Sequence, residues 1–113
     1  MQYMALIYSA EGASDVDEQT LMAQYGTFTQ DAVAAGVFKA GDALQPIATA
    51  SAVRVKAGKP VVTDGPFAET KEVLGGYYLL DCANLDEALA WAARIPTARY
   101  GTIEVRPIVV WDN

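Results

Sequence analysis

Apolar and polar positions along this chain follow two periods, and the changes of period mark the elements. "QYMALIY", Gln2 to Tyr8, is apolar on both parities, with Tyr3, Ala5 and Ile7 on one side and Met4, Leu6 and Tyr8 on the other. It predicts a first strand covered on both faces. Leu21, Tyr25, Phe28, Ala32 and Ala35 then recur at steps of four, three, four and three. That spacing aligns them on one face of a helix running to about residue 35. Ser14 or Asp15 offers its N-cap, with Asp17 or Glu18 three residues on, and Gly36 its stop. "VFKAGDAL" predicts a second, weaker strand interrupted by Gly41 and ended by Gln45-Pro46. Two β-branched runs flank Ala57-Gly58-Lys59 in "ASAVRVKAGKPVVTD", the pattern of a hairpin. "LGGYYLLDC" predicts a strong strand. In "ANLDEALAWAARIP" Asn84 caps a helix, Glu87 takes the third position, and Leu85, Ala88, Ala92 and Ile95 share a face before Pro96 closes it. "GTIEVRPIVVW" is the last strand.

Strand, helix, strand, inserted hairpin, strand, helix, strand is two β-α-β units in series over one domain, residues 1–113. The expected class is α+β, a ferredoxin-like split β-α-β sandwich with an inserted β-hairpin. Right-handed crossovers put both helices on one sheet face. The other face must then meet water or a second subunit. In the last strand Ile103, Val105, Pro107 and Val109 suit helix packing, while Thr102, Glu104, Arg106 and Ile108 alternate onto the opposite side. Together with the two-sided first strand, this favours coverage of both faces and hence a homodimer.

Composition narrows the chemistry. Eight Lys plus Arg against fourteen Asp plus Glu give a net charge of −6, which disfavours direct binding of nucleic acid. The chain has no histidine, which removes the commonest general base, the usual zinc site and any Ser-His or Cys-His pair. No EF-hand-like acidic spacing is present, so neither a metal nor a cofactor is expected. Cys82 is the single cysteine and reads as a buried structural thiol in a reducing compartment. The apolar start is too short to span a bilayer and lacks a basic flank, so the expected location is the cytoplasm, with no membrane contact.

The densest backbone punctuation lies in "VVTDGPFAETKEVLGGYY". Asp64-Gly65-Pro66 is turn chemistry: the acid bonds amides ahead of it, glycine takes positive φ, and proline fixes the next residue. "PFAETKE" could continue as one or two helical turns, with Phe67 anchored in the core and Glu69, Thr70, Lys71 and Glu72 solvated. Alternatively this connection rims a cavity between facing sheets. "TDGPFAETKE", followed by "LGGYYLLD", "WAARIP" and "GTIEVRPI" and preceded by "YMALIY" and "AGDALQP", resembles the DGPF branch of the YCII-related proteins over essentially the whole chain. The resemblance implies a ferredoxin-like subunit that pairs sheet to sheet as a dimeric α/β barrel, without implying a defined reaction. It also implies an association of some relatives with extracytoplasmic-function sigma factors, hence a role in transcription initiation. A His-Asp catalytic pair proposed for YCII-type proteins cannot exist in a chain without histidine.

Two functions follow. In the first, the dimer binds, or binds and transforms, a small polar or acidic metabolite. Asp64 or Glu104 is then the acid–base candidate and Arg106 stabilises an anion. Gly75 and Gly76 allow close backbone approach, and Tyr77 or Tyr78, which alternate to opposite faces, offers a phenol. In the second, the protein is a non-catalytic interaction module serving a sigma factor.

Overall fold

The computed structural model describes residues 1–111. Its elements are β1 (Gln2–Ser9), α1 (Glu18–Ala34), β2 (Phe38–Ala43), β3 (Ser51–Lys56), β4 (Lys59–Asp64), β5 (Val73–Asp81), α2 (Leu85–Ala92) and β6 (Thr102–Pro107), with short 3-10 turns at Ile47–Thr49 and Pro96–Arg99. Four strands form one sheet in the order β2-β5-β1-β6, with every neighbouring pair antiparallel. This is the ferredoxin-like α+β arrangement that the element order predicts. β3 and β4 pair only with each other and form a separate two-stranded ribbon between β2 and β5.

Both helices contribute to one core beneath the sheet. Tyr3, Ala5 and Ile7 of β1, Tyr78 and Leu80 of β5, Phe28 and Ala32 of α1, Ala88 of α2, and Ile95 just beyond it form one buried cluster. Ile103 and Val105 of β6 pack against it, as their parity requires. Phe28 contacts the rings of Tyr78 and Trp91 with centroids 4.9 and 6.0 Å away. The buried phenols keep polar partners: Tyr78 bonds Thr29 at 2.9 Å, and Tyr25 bonds Thr97.

Local rules explain where elements stop, and where the structure departs from the sequence pattern. α1 is capped by Asp17, whose carboxylate accepts from Thr20 N at 2.7 Å, and not by Ser14 or Asp15. Asp15 is drawn away by Arg99, which binds both of its oxygens at 2.7 and 3.0 Å. At the other end Gly36 adopts φ +73, while its N–H donates to Val33 O and that of Val37 to Ala32 O. These two bonds close a Schellman motif. α2 ends at Ala92, short of Ile95, because Pro96 forces Ile95 to ψ 126 and the last amides turn to i−3 carbonyls. Leu85, at its first position, is exposed and not part of the packed face. β6 stops at Pro107 because Tyr3, near the start of β1, is its last partner. Val109, Val110 and Trp111 run past the sheet and are exposed.

The segment 65–72 forms bends and no helix, and Phe67 is 80% exposed instead of anchored in the core. Between the positive-φ Gly65 and the start of β5 there are too few residues to offset the cost of helix nucleation. Thr70 Oγ1 donating to Glu72 O instead closes a local turn.

Candidate functional site

The sheet face opposite the helices has no second layer among the described residues. Met4, Leu6 and Tyr8 of β1 lie on it beside Leu79, Tyr77 and Leu74 of β5 and Arg106, Glu104 and Thr102 of β6. Met4, Leu6 and Leu79 are half-buried and make an apolar band along its centre. One edge of the band is polar through Tyr77, whose hydroxyl donates to Asp42 of β2 at 2.8 Å. That carboxylate, as acceptor and as a nearby negative charge, holds the Tyr77 phenol above its usual range. The other edge carries Glu104 and Arg106. An apolar centre with polar rims is the anatomy of a protein interface.

A β-bulge shapes the end of this face. Ile7 pairs with Gly76 but Tyr8 pairs with Leu74, which leaves Gly75 as the extra residue. The bulge keeps Leu74 on the open side although it is three residues from Tyr77. Gly76 meets a different demand: a Cβ there would lie 2.9 Å from Asp42 O, so glycine permits the tight approach of β2 and β5.

Beyond the bulge the open face runs into a cleft of about 910 Å³, enclosed by Tyr8 and Leu74 from the sheet, Ile47 and the base of β3, and Pro66-Phe67 from the Asp-Gly-Pro connection. Its lining is mainly apolar. Arg54 of β3 is the one cation in it, and among the described residues it pairs with no carboxylate. The Tyr8 hydroxyl makes no hydrogen bond among those residues. Glu72 also lines the cleft, but its carboxylate already accepts from Thr102 at 2.8 Å. Thus a guanidinium and a phenol stand uncommitted in an apolar hollow large enough for a small organic molecule.

A second groove, about 320 Å³, lies between α1 and the Pro96–Arg99 turn and contains Arg94 and Arg99. Both cations there are neutralised, Arg94 by Asp31 at 2.6 Å and Arg99 by Asp15. Arg99 holds the Asp15 carboxyl below the usual carboxylate range, chiefly through its hydrogen bond. The groove is therefore a satisfied surface network with little to offer an anion.

The residues singled out from the sequence are divided by the fold. Tyr77 faces the open side, whereas Tyr78 faces the helices and is buried. Glu104 and Arg106 share the open side, one and two pairs along β6 from Thr102. Asp64 is elsewhere: it ends β4, pairs with Ser51 in the ribbon and is exposed. Gly75 and Gly76 set strand geometry. Tyr8, Arg54 and Glu72, which line the cleft, lay outside the residues singled out. Arg54 had one signal, a long cation interrupting the β-branched run "AVRVK". Cys82 is buried as expected, and burial, with Glu87 and Asp81 adding to it, pushes its thiol above the ordinary range. Among the described residues no cluster of three or more Cys, Asp or Glu side chains is placed to hold a metal ion. None of the described helices is long and apolar enough to cross a membrane.

A YCII-related domain is matched over residues 1–112. The chain belongs to the YCII-related family. An uncharacterised protein of Rhizobium meliloti (strain 1021) is 38% identical over 117 residues, spanning 98% of this chain and 94% of that relative. This YCII-related chain and its relative thus share the whole domain, so the arrangement described here can be tested in either protein. Neither comparison carries a reaction with it. The chemistry of this YCII-related protein has to be argued from its own side chains.

Proposed function

We propose that this chain is a DGPF-branch member whose open sheet face pairs with that of a second copy, as a dimeric α/β barrel. The cleft at the end of that face then binds a small organic anion. The observation that carries the reading is the presence of Arg54 and Tyr8, both uncommitted, in one mainly apolar cleft of about 910 Å³. An uncommitted guanidinium recognises a carboxylate or similar acid through charge-assisted hydrogen bonds, and a phenol adds a second donor. The apolar walls of Ile47, Leu74 and Phe67 fit a hydrocarbon or aryl body. Pairing narrows the cleft, removes water and strengthens the charge interaction. Glu104 and Arg106 lie further along the same face and would meet the far end of a longer ligand. Glu104 is the carboxylate there that could move a proton. Asp64, on the ribbon, has no place in that step.

Isothermal titration with benzoate, hexanoate and the neutral benzamide tests the reading. The two carboxylates are expected to bind saturably and benzamide much less. Arg54→Gln is expected to weaken carboxylate binding by about tenfold or more, the worth of one charge-assisted hydrogen bond. Tyr8→Phe should weaken it less. Unchanged binding in Arg54→Gln, or no preference for the anions, overturns the assignment.

A further inference from the structure

The β3–β4 ribbon has two unlike faces. Ala52, Arg54 and Lys56 alternate with Val61 and Thr63 on one, and Pro66 and Phe67 lie against that side. Val53, Val55, Pro60 and Val62 form the other, and its three valines are exposed by 64, 70 and 67%. Such alternation belongs to a ribbon with one covered face. Nothing among the described residues covers it, and a two-stranded ribbon alone is marginally stable in water. The chain is correspondingly spread out. Its radius of gyration is 16.0 Å, against about 13 Å for a compact domain of this length, and it measures 48 × 46 × 18 Å.

Charge indicates what covers this face. Ser51–Asp64 holds three of the eight basic side chains, Arg54, Lys56 and Lys59, and one acid, Asp64, for a net +2. On a chain of net −6 this leaves −8 for the rest. These bases lie on the ribbon face opposite the exposed valines, so they border the contact. The net positive arm is attracted as a whole to the acidic body of its own chain, and so to that of a second copy. Area points the same way. Four strands of eight, six, nine and six residues, about 4.8 Å apart, present roughly 450 Å² in projection, against about 800 Å² of accessible surface per partner in a stable interface. The ribbon's two six-residue strands add about two-fifths as much again to the sheet face. Lys56, Lys59 and Pro60 blunt the ribbon's edges, so it is suited to docking by its face and not by open-ended strand addition.

We infer that the β3–β4 ribbon is an arm that lays its Val53–Val55–Val62 face on the body of a second copy, reciprocally about a twofold axis. The inference rests on the proposed pairing of two copies and adds a contact that sheet-to-sheet pairing does not require. Each arm also forms one wall of the anion cleft through Arg54, so seating it on the partner fixes the cleft's shape and couples ligand binding to assembly.

Because Cys82 is buried, a single engineered thiol reports its own site. Val55→Cys is compared with Gln30→Cys on the exposed side of α1, using 5,5′-dithiobis(2-nitrobenzoate) and sedimentation of the same samples. Val62→Cys repeats the reading on β4. The expected result is a dimer in which Cys at 55 and 62 reacts at least about tenfold more slowly than at 30, with protection lost on dilution. Molar salt should weaken the protection by screening the lysines. A dimer whose position 55 reacts as fast as position 30 overturns the arm while leaving sheet pairing intact. A monomer at all concentrations overturns both, and protection that survives in a monomer shows the arm folded on its own chain.

Discussion

The body and the arm of this molecule solve the same problem differently. In the body the helix-side core is matched within the chain: the Tyr25 and Tyr78 phenols have hydroxyl partners, Gly76 admits a neighbouring strand, and Gly101 lies where any Cβ would collide with Tyr8 O. The ribbon and its Asp-Gly-Pro connection bury almost nothing, although Val53, Val55, Val62 and Phe67 are as apolar as the core. Hydrophobicity alone therefore does not place a residue inside. A partner surface must exist, and for the arm the proposed one is a second copy of the chain.

The sharpest break between the two regions is Phe28→Ala against Val55→Ala. Losing the Phe28 ring should cost about 3–5 kcal/mol in urea unfolding, because the cavity it leaves is walled by Tyr78 and Trp91. Val55→Ala should shift the stability of an isolated chain by less than about 0.5 kcal/mol. Comparable losses at the two sites would erase the distinction. The two faces of β5 provide a finer contrast. Tyr78→Phe removes the buried bond to Thr29 and should cost about 1 kcal/mol, whereas Tyr77→Phe removes an exposed bond to Asp42 and should cost less. In the ribbon turn Ala57 sits at φ +50 beside Gly58 at φ +76. Asn tolerates that geometry better, so Ala57→Asn should raise stability by up to about 1 kcal/mol in the same assay.

Acid should act on the body. Asp15, Asp17 and Asp81 are held below the usual carboxylate range by Arg99, by the Thr20 amide and by the N-terminal ammonium respectively. A carboxyl with a lowered folded pKa adds stability that is complete above its unfolded value, about 4, and is lost as pH falls through the folded value. With no histidine to titrate, melting temperature should stay level from about pH 5 to 8 and decline below about 4. A decline beginning near pH 6 would require a group not among these three.

What was legible in the sequence follows the same division. The face of α1 that buries Phe28 and Ala32, the Gly36 stop, the Asn84 cap and the order of elements along the chain were all readable, because local periodicity and packing agree there. The N-cap was misplaced because Asp15 is claimed by Arg99, 84 residues away, which no local pattern reveals. Phe67 was misjudged because an aromatic beside a turn looks the same whether it anchors a core or waits for a partner. Of the cleft, the Asp-Gly-Pro connection was found, but Tyr8 and Arg54 were not. They come together only once the bulge at Gly75 and the ribbon base have set the space between them.

The proposed pairing of open faces underlies both the proposed anion site and the arm, and sedimentation equilibrium of the wild-type chain beside Leu6→Lys tests it most directly. Leu6 lies in the middle of the apolar band, opposite Tyr77 and Glu104, so a lysine there spoils the interface while leaving the helix-side core untouched. The expected result at micromolar concentration is twice the single-chain mass for the wild type and the single-chain mass for Leu6→Lys, with matching circular dichroism. A wild-type protein that sediments as one chain, or a Leu6→Lys variant that remains fully dimeric, contradicts the account.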